Sequence, residues 1–463
     1  MRLQIRALAA LAALTLLAAG CGRSGSGSSS GDQGTASASQ AAQTSGGNFG
    51  SLKNVCHGGS ASGATDQGVT ASQIKVGVLT DVGFTKDPQL ITAANVFTSW
   101  CNAAGGINGR KLVADIHDTQ LLQVVPAVTN ACGSDFVLAG GSAALDGLAT
   151  KTRLQCLLPD FDAQTVMPQN QNSGLQVYPI TQGHSYGPFA GYYQWLIKQK
   201  YPASAANVGI LSGQSIITQV DAAVAAETFK AMGGTVSYNE NFPATGASDW
   251  TPYAQSIKTK GVKGLVFYGT PQQLAALELA LTNMDYKLDW IDANSNAYGA
   301  PFIQAAGKSL SFQHNYADIW AVYPLEKAES NPATQQVINL YAKYAAGQSP
   351  TLQALQAFSA WLIFATSAET CGSNLTRSCV YNAAIKQTAW TGGGLTAPVN
   401  LAQPDSPPNC FNIEQATPDG WQAASFGANN GPYRCGAPVV KLTGSFPQPV
   451  TLASVGKSLS DLK

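Results

Sequence analysis

Twice in this chain a short apolar, β-branched run is followed by a helical stretch, a Gly-Gly pair and a second strand-like run. The first copy is IKVGVL (74–79), a helix over 88–104 with Leu90, Ala94, Phe97, Cys101 and Ala104 on one face, Gly105-Gly106, and KLVADIHD (111–118). The second is NVGILSG (207–213), a helix over 215–232, Gly233-Gly234, and TVSYNENF (235–242). Parallel strands need a crossover that is usually a helix, so this alternation predicts parallel-sheet α/β architecture. Further strands are expected at DFVLAGG (135–141), CLLPDF (156–161), LQVYPI (175–180), GLVFYGT (264–270), LDWIDAN (288–294) and ADIWAVYP (317–324). A helix over 184–199 separates the two cycles, and two more are expected over 332–370. The remainder is rich in Pro, Gly and Cys, with short strand-like pieces such as CFNIEQ (410–415).

The stretch CNAAGGINGRKL (101–112) tests whether the glycines hold a phosphate. A phosphate loop needs its glycines between a strand and a helix, with Lys-Ser/Thr after the last. Here the glycines follow a helix and precede a strand, and no Lys-Ser/Thr follows Gly109. Gly105 and Gly106 suit the left-handed position past a helix end, and Asn108-Gly109 is turn chemistry.

The same residues, Asn102 to Leu112 after an IKVGVL strand and a helix, resemble the N-terminal lobe of class I periplasmic solute-binding proteins of the Leu/Ile/Val-binding type. The resemblance runs from about residue 72 to 435 and is strongest over 74–118. It implies two doubly wound, Rossmann-like lobes joined by three crossovers, with ligand in the cleft between them. Lobe one would hold 72–182 and 322–400; lobe two, 183–321 and 401–435; 436–463 would be a C-terminal tail.

In doubly wound sheets ligands bind beyond the carboxyl ends of the strands. The candidates are therefore Asp81 and Phe84; Gly141 and Ser142; Phe161, Asp162 and Ala163; Tyr186; Gln214; Tyr268 and Thr270; and Asn294 and Tyr298. Ser142 precedes AALDGLATK, an expected helix, so its hydroxyl and the helix N-terminal amides could hold a ligand carboxylate or simply cap the helix. In the resembling family a Ser or Thr there, with the loop matching Phe161 to Ala163, does the former. Tyr186 and Tyr268 could wall the ligand or belong to the core. Asp81 and Asp162 could pair with a ligand ammonium or serve as caps and turn residues. Amino-acid binders of the family supply an acid from the loop matching Gly269 to Leu274, which here reads GTPQQL. An α-amino acid is thus no better supported than another small polar, amide-bearing or aromatic molecule.

The first twenty residues place Arg2 and Arg6 before an Ala/Leu run too short to span a bilayer, which reads as a secretion signal. Leu17 to Cys21 resembles a lipobox, implying cleavage before Cys21 and acylation of its thiol. Residues 21–50, mostly Gly, Ser, Ala, Thr and Gln, read as a flexible tether. The remaining eight cysteines, 56, 101, 132, 156, 371, 379, 410 and 435, suit disulfides in an exported protein. The pairing 371–379, 410–435, 101–132 and 56–156 is the first guess among many. No zinc-type spacing is present, so no metal is expected. Lys plus Arg equals Asp plus Glu at 26 each and only 11% of residues are charged, which leaves no basic field for nucleic acid.

Gly140-Gly141-Ser142-Ala143-Ala144 is one residue short of a nucleophile elbow, so a serine hydrolase is the enzymatic alternative. It lacks a well-placed histidine: His117 precedes the serine, and His314 lies in a plain loop-like stretch. The expectation is a lipid-anchored, monomeric, extracytoplasmic binder without cofactor that closes around a small molecule and delivers it to an ABC permease. A surface receptor of the same fold that signals instead of delivering cargo is the other binding alternative.

Overall fold

The computed structural model describes residues 46–463. The expected signal segment, Cys21 and tether residues 21–45 lie outside the described residues. Among those described, no helix is long and apolar enough to cross a membrane.

Two parallel sheets form the frame. The first contains β1 (Gln73–Thr80), β2 (Lys111–Asp118), β3 (Val137–Ala139), β4 (Asp160–Phe161) and β5 (Gln176–Val177), in spatial order β2-β1-β3-β4-β5. The second repeats that order with β6 (Val208–Gly213), β7 (Val236–Phe242), β8 (Gly264–Tyr268), β9 (Trp290–Asp292) and β10 (Asn315–Asp318), read β7-β6-β8-β9-β10. The hairpin of β12 (Ile413–Thr417) and β13 (Gly420–Ala423) extends it, with β12 antiparallel to β10. A separate ribbon pairs β11 (Cys410–Phe411) with β14 (Arg434–Cys435). Both lobes are doubly wound, as the alternation of runs implied.

The chain finishes the first sheet but not the first lobe before starting the second. After β10 it returns to the first sheet, where helix Leu352–Cys371 packs with Phe97, Phe136 and Phe161 in one core. That helix carries Leu355, Phe358, Trp361, Leu362 and Phe364 fully buried, so it is apolar nearly all round, as a helix enclosed on every side must be. A third passage reaches β12. The C-terminal segment makes a fourth: the Gly187 amide donates to Val440, Glu227 accepts from Thr443 and Gly444, and Val450 and Leu462 bury against Leu154 and Leu175 of the first lobe. Three crossovers were expected, and 436–463 adds another tie between the lobes.

The glycine stretch at the end of helix Gln89–Ala103 is structural. Gly105, Gly106 and Gly109 all adopt left-handed φ, and a Cβ on Gly105 would collide with the backbone of His57 and Gly58. Arg110 is buried and its guanidinium donates to the carbonyls of Ser62, Thr70, Gly372 and Ser373, stapling three segments together.

The disulfides are Cys56–Cys101, Cys132–Cys156, Cys371–Cys379 and Cys410–Cys435. The expected 371–379 and 410–435 pairs are present, whereas 101–132 and 56–156 are corrected. Cys101 lies on the buried face of its helix, against the incoming segment that carries Cys56. Cys132 and Cys156 sit at the ends of two adjacent helices.

Other expectations shift as well. The helix expected over 184–199 begins only at Ala190: the preceding chain runs through turns at 184–185 and 188–189, the second at Pro188. It then continues as one wide turn over Trp195–Lys200. The strand expected over 317–324 ends at Asp318, since Trp320 and Ala321 take left-handed φ of 62° and 54°. The helix expected directly after Ser142 is absent, and regular α-helix starts at Thr150.

The tether also ends sooner than expected. Phe49 is fully buried, its ring 5.8 Å from Trp100 and 6.1 Å from Phe358, and Gln336 bonds the backbone of Asn48 and Gly50. Starting the body at residue 51, or replacing Phe49 by Ala, is expected to cost about 3 kcal/mol or more against a body starting at residue 46. Denaturant titration reads the difference, and equal midpoints would show that Phe49 contributes nothing to the core.

Candidate functional site

The carboxyl ends of the two sheets face a shared cavity of about 160 Å³. From the first lobe come Gln164 and Thr165 after β4, Tyr178 after β5, Gln182, and Gln356 from helix Leu352–Cys371. From the second come Tyr193, Tyr268 at the end of β8, Asn294 after β9, and Asp221 on helix Ile216–Ala231. Phe189 and Trp320, on two of the passages between lobes, pack at a tilt against each other with ring centroids 4.5 Å apart. The left-handed backbone at Trp320 turns its indole toward Ser295, to whose hydroxyl its N–H donates at 3.2 Å. Backbone held in this sparsely populated region commonly marks functional sites.

Aromatic and amide groups dominate the lining. The Tyr193 hydroxyl donates to Asp292 at 3.2 Å and lies 3.3 Å from the Tyr268 hydroxyl, which ties the aromatic wall to the floor of the second sheet. Gln164 donates to the Gln356 side-chain oxygen at 2.8 Å, while the buried Gln356 amide nitrogen has no partner among the described residues. Among the described residues no Lys, Arg or His lines the cavity, and Asp221 is its one carboxylate, which burial pushes up to about 7. A cavity near this size accommodates a benzene-sized molecule, which sets the scale of the occupant.

Of the residues expected at the strand ends, Tyr268 and Asn294 line this cavity. Asp81 is buried, and its carboxylate accepts from the Thr119 hydroxyl and from the Leu121 and Ala144 amides, closing the point where the first sheet reverses strand order. The part-buried Ser142 donates its amide to Leu79 and has no helix N-terminus behind it. Gly141 approaches the Leu79 backbone so closely that a Cβ would clash. Phe161 and Ala163 are core residues, and Phe84 is 62% exposed and does not line the cavity. Asp162 is buried and accepts from Asn170 and Gln176, with its pKa raised by burial and by neighbouring Asp160.

In the second lobe, Gln214 is exposed at the end of β6, and Thr270 caps helix Pro271–Asn283 in a reciprocal bond with Gln273. Tyr298 is buried, donates to Glu326 and packs edge-on against Trp421. Tyr186 lines a smaller neighbouring recess with His184, Val220, Asp221, Leu442 and Phe446, so the C-terminal segment covers Asp221 from one side.

Gln164, Thr165, Gln182 and Trp320 were missed although each lies within a few residues of a predicted strand end. Tyr193, Asp221 and Gln356 sit inside helices, where nothing in the sequence separates a cavity residue from a surface or core residue. None of the four histidines bonds Ser142: His57 meets Gly58 and Glu369, His117 meets Asp135, and His314 meets Asp289 and Tyr201. His184 donates no side-chain bond among the described residues.

Comparison with known proteins adds the decisive observation: residues 73–415 match the model of a family described as periplasmic binding protein. The chain belongs to that family. Its fold recurs in solved structures. A fatty acid ABC transporter substrate-binding protein from Thermomonospora curvata superposes with TM-score 0.66 at 16% identity, over 83% of this chain and 97% of that one. An ABC transporter substrate-binding protein from Sphaerobacter thermophilus gives 0.64 at 11%, over 79% and 99%. A leucine binding protein from Thermotoga maritima gives 0.63 at 14%, over 76% and 98%. No curated protein sequence matches. This periplasmic binding protein is thus of the class I type, a family of extracytoplasmic binders rather than enzymes.

Behind its cleft, at the ends of β9 and β10, lie two carboxyls that burial makes harder to ionise. Burial pushes Asp292 up to about 7 and Asp318 up to about 8, the latter aided by Asp292 itself. Unfolded aspartates release their proton near pH 4, about 3.9. Between that value and 7 to 8 the folded protein binds more protons than the unfolded chain, so stability falls as pH rises through this window. Asp292→Asn is expected to flatten that slope in unfolding titrations at several pH values between 4.5 and 8 (about this range). An unchanged slope would mean that Asp292 is already ionised in the folded protein.

Proposed function

We propose that this protein captures a small polar or amide-bearing molecule between its lobes and hands it to an ABC-type permease. The observation that carries the reading is a single cavity lined from both sheets, in which a ligand touching Gln164 and Gln182 on one side and Tyr193, Tyr268 and Asn294 on the other rewards closure. Such differential contact is what drives a hinge. Two of the similar proteins are named for a fatty acid and for leucine, each of which carries a carboxylate. The cavity here offers no cationic side chain among the described residues, and Ser142, which would hold a carboxylate in the resembling family, does not line it. Acylation of Cys21 would hold the body at the outer face of the membrane on a tether ending near residue 45, as a monomer beside its permease. A sensing receptor would use the same cleft, and neighbouring genes for a permease and an ATPase favour import.

The test is a melting screen of the body from residue 46 against amines, amides, amino acids, sugars and aromatic acids, with mass spectrometry of whatever co-purifies. A true ligand at a hundredfold excess over Kd stabilises by about 2.7 kcal/mol, a readable shift. No shift and no bound molecule across the panel contradicts the reading.

A further inference from the structure

The cavity leaves two polar groups unsatisfied, one from each lobe. On the first-lobe side it is the Gln356 amide nitrogen, fully buried and without an acceptor. On the second it is the Asp221 carboxylate, which has no hydrogen-bond or ion-pair partner among the described residues. Asp221 is part-buried at the cavity wall, and a carboxylate partly shielded from water there gains from a cation placed beside it. The surroundings agree: the rings of Phe189, Tyr193, Tyr268 and Trp320 share the cavity with Asp221, and aromatic faces attract cations.

We propose that Asp221 is the charge anchor of the cleft and that the physiological ligand is a small net-positive amine, its ammonium at Asp221 beside the aromatic wall and a hydrogen-bond acceptor at Gln356. The proposal rests on the solute-binding reading and names its ligand class. Asp221 comes from the face of helix Ile216–Ala231 and not from the loop Gly269–Leu274, where an acid was sought and none is present. The empty cleft tolerates the group because burial raises its pKa to about 7, so much of it is protonated until a cation arrives. The ligand then displaces that proton. The other ionisable groups around it are Tyr178, Tyr193 and Tyr268 in the cavity, Asp292 behind Tyr193, and His184 and Tyr186 in the neighbouring recess. Burial drives Tyr178, Tyr193 and Tyr268 upward, out of the tested range, which leaves Asp292, also near 7, and His184, driven downward by burial, as the competing titrations.

Calorimetry with matched probes decides the matter: phenethylamine, phenethyl alcohol and phenylacetate, then isopentylamine, isopentanol and isovalerate. The amines are expected to bind at least about tenfold more tightly than the matched alcohols, with the acids weakest. Below pH 7 the amine affinity should drop about tenfold per pH unit. Asp221→Asn should bring the amines down to the level of the alcohols measured on the same variant and abolish the pH slope. Asp221→Ser serves the same purpose should the Asn variant not fold. Amines that bind no better than alcohols, or a preference and slope that survive in the variants, overturn the proposal while leaving solute binding intact. If no probe of any charge binds, and the wider screen is also silent, the proposal and the solute-binding reading fall together.

Discussion

The structure depends on one topological constraint: each lobe is completed by chain that has already visited the other. Helix Leu352–Cys371 supplies much of the first lobe's interior although the whole second sheet up to β10 lies between it and β5. The hairpin β12–β13 then closes the second sheet after that helix is in place. Neither lobe can therefore be cut away as a contiguous piece without stripping the core of the other. Residues beyond the strand ends of both sheets therefore meet in one cavity. The C-terminal segment adds a restraint, anchored at Glu227 in the second lobe and at Gln169, Gly174 and Ser378 in the first.

That geometry explains the unusual electrostatics of the interior. Strands converging on a cleft bring polar strand-end residues together where water is largely excluded. The second sheet collects Asp292 and Asp318 there with no cation beside them, and the first collects Asp146, Asp160 and Asp162 around Arg153. The first group is satisfied by hydrogen-bond donors: Tyr193 and the Asn294 amide for Asp292, the Trp320 amide for Asp318. Asp221 differs from all of these in having neither cation nor donor. The same contrast separates Asp81, whose carboxylate is occupied by three donors, from a group available to a ligand.

Much of the frame was legible because it is periodic. The runs that became β1, β2, β6, β7 and β8 are β-branched and bounded by Gly, and the duplicated helix–Gly-Gly–strand order fixed the pairing of the two lobes in sequence. The cleft was legible only in part, since the rule that ligands meet strand ends found Tyr268 and Asn294 but also Asp81, Phe161 and Tyr298, which the structure uses in turns and core. What separates them is whether the chain folds a neighbour over the strand end, and that is a tertiary fact. Trp320 was hidden because a β-rich run masked the left-handed residues that end the strand. Asp221 and Gln356 were hidden because one polar residue in a helix carries no mark of the cavity it faces. The two misassigned disulfides fail for a related reason: proximity in sequence decides a pairing only when no long-range packing, such as the segment carrying Cys56 against Cys101, competes with it.

The central claim is that one ligand is held by both sheets at once. Hydrogen–deuterium exchange of the protein with and without its co-purified or best-binding small molecule tests this most directly. The account predicts that binding slows exchange together in the first-lobe segment around Gln164 to Gln182 and in the second-lobe segments around Asn294 and Trp320. Protection confined to one lobe, or located away from these segments, would contradict it.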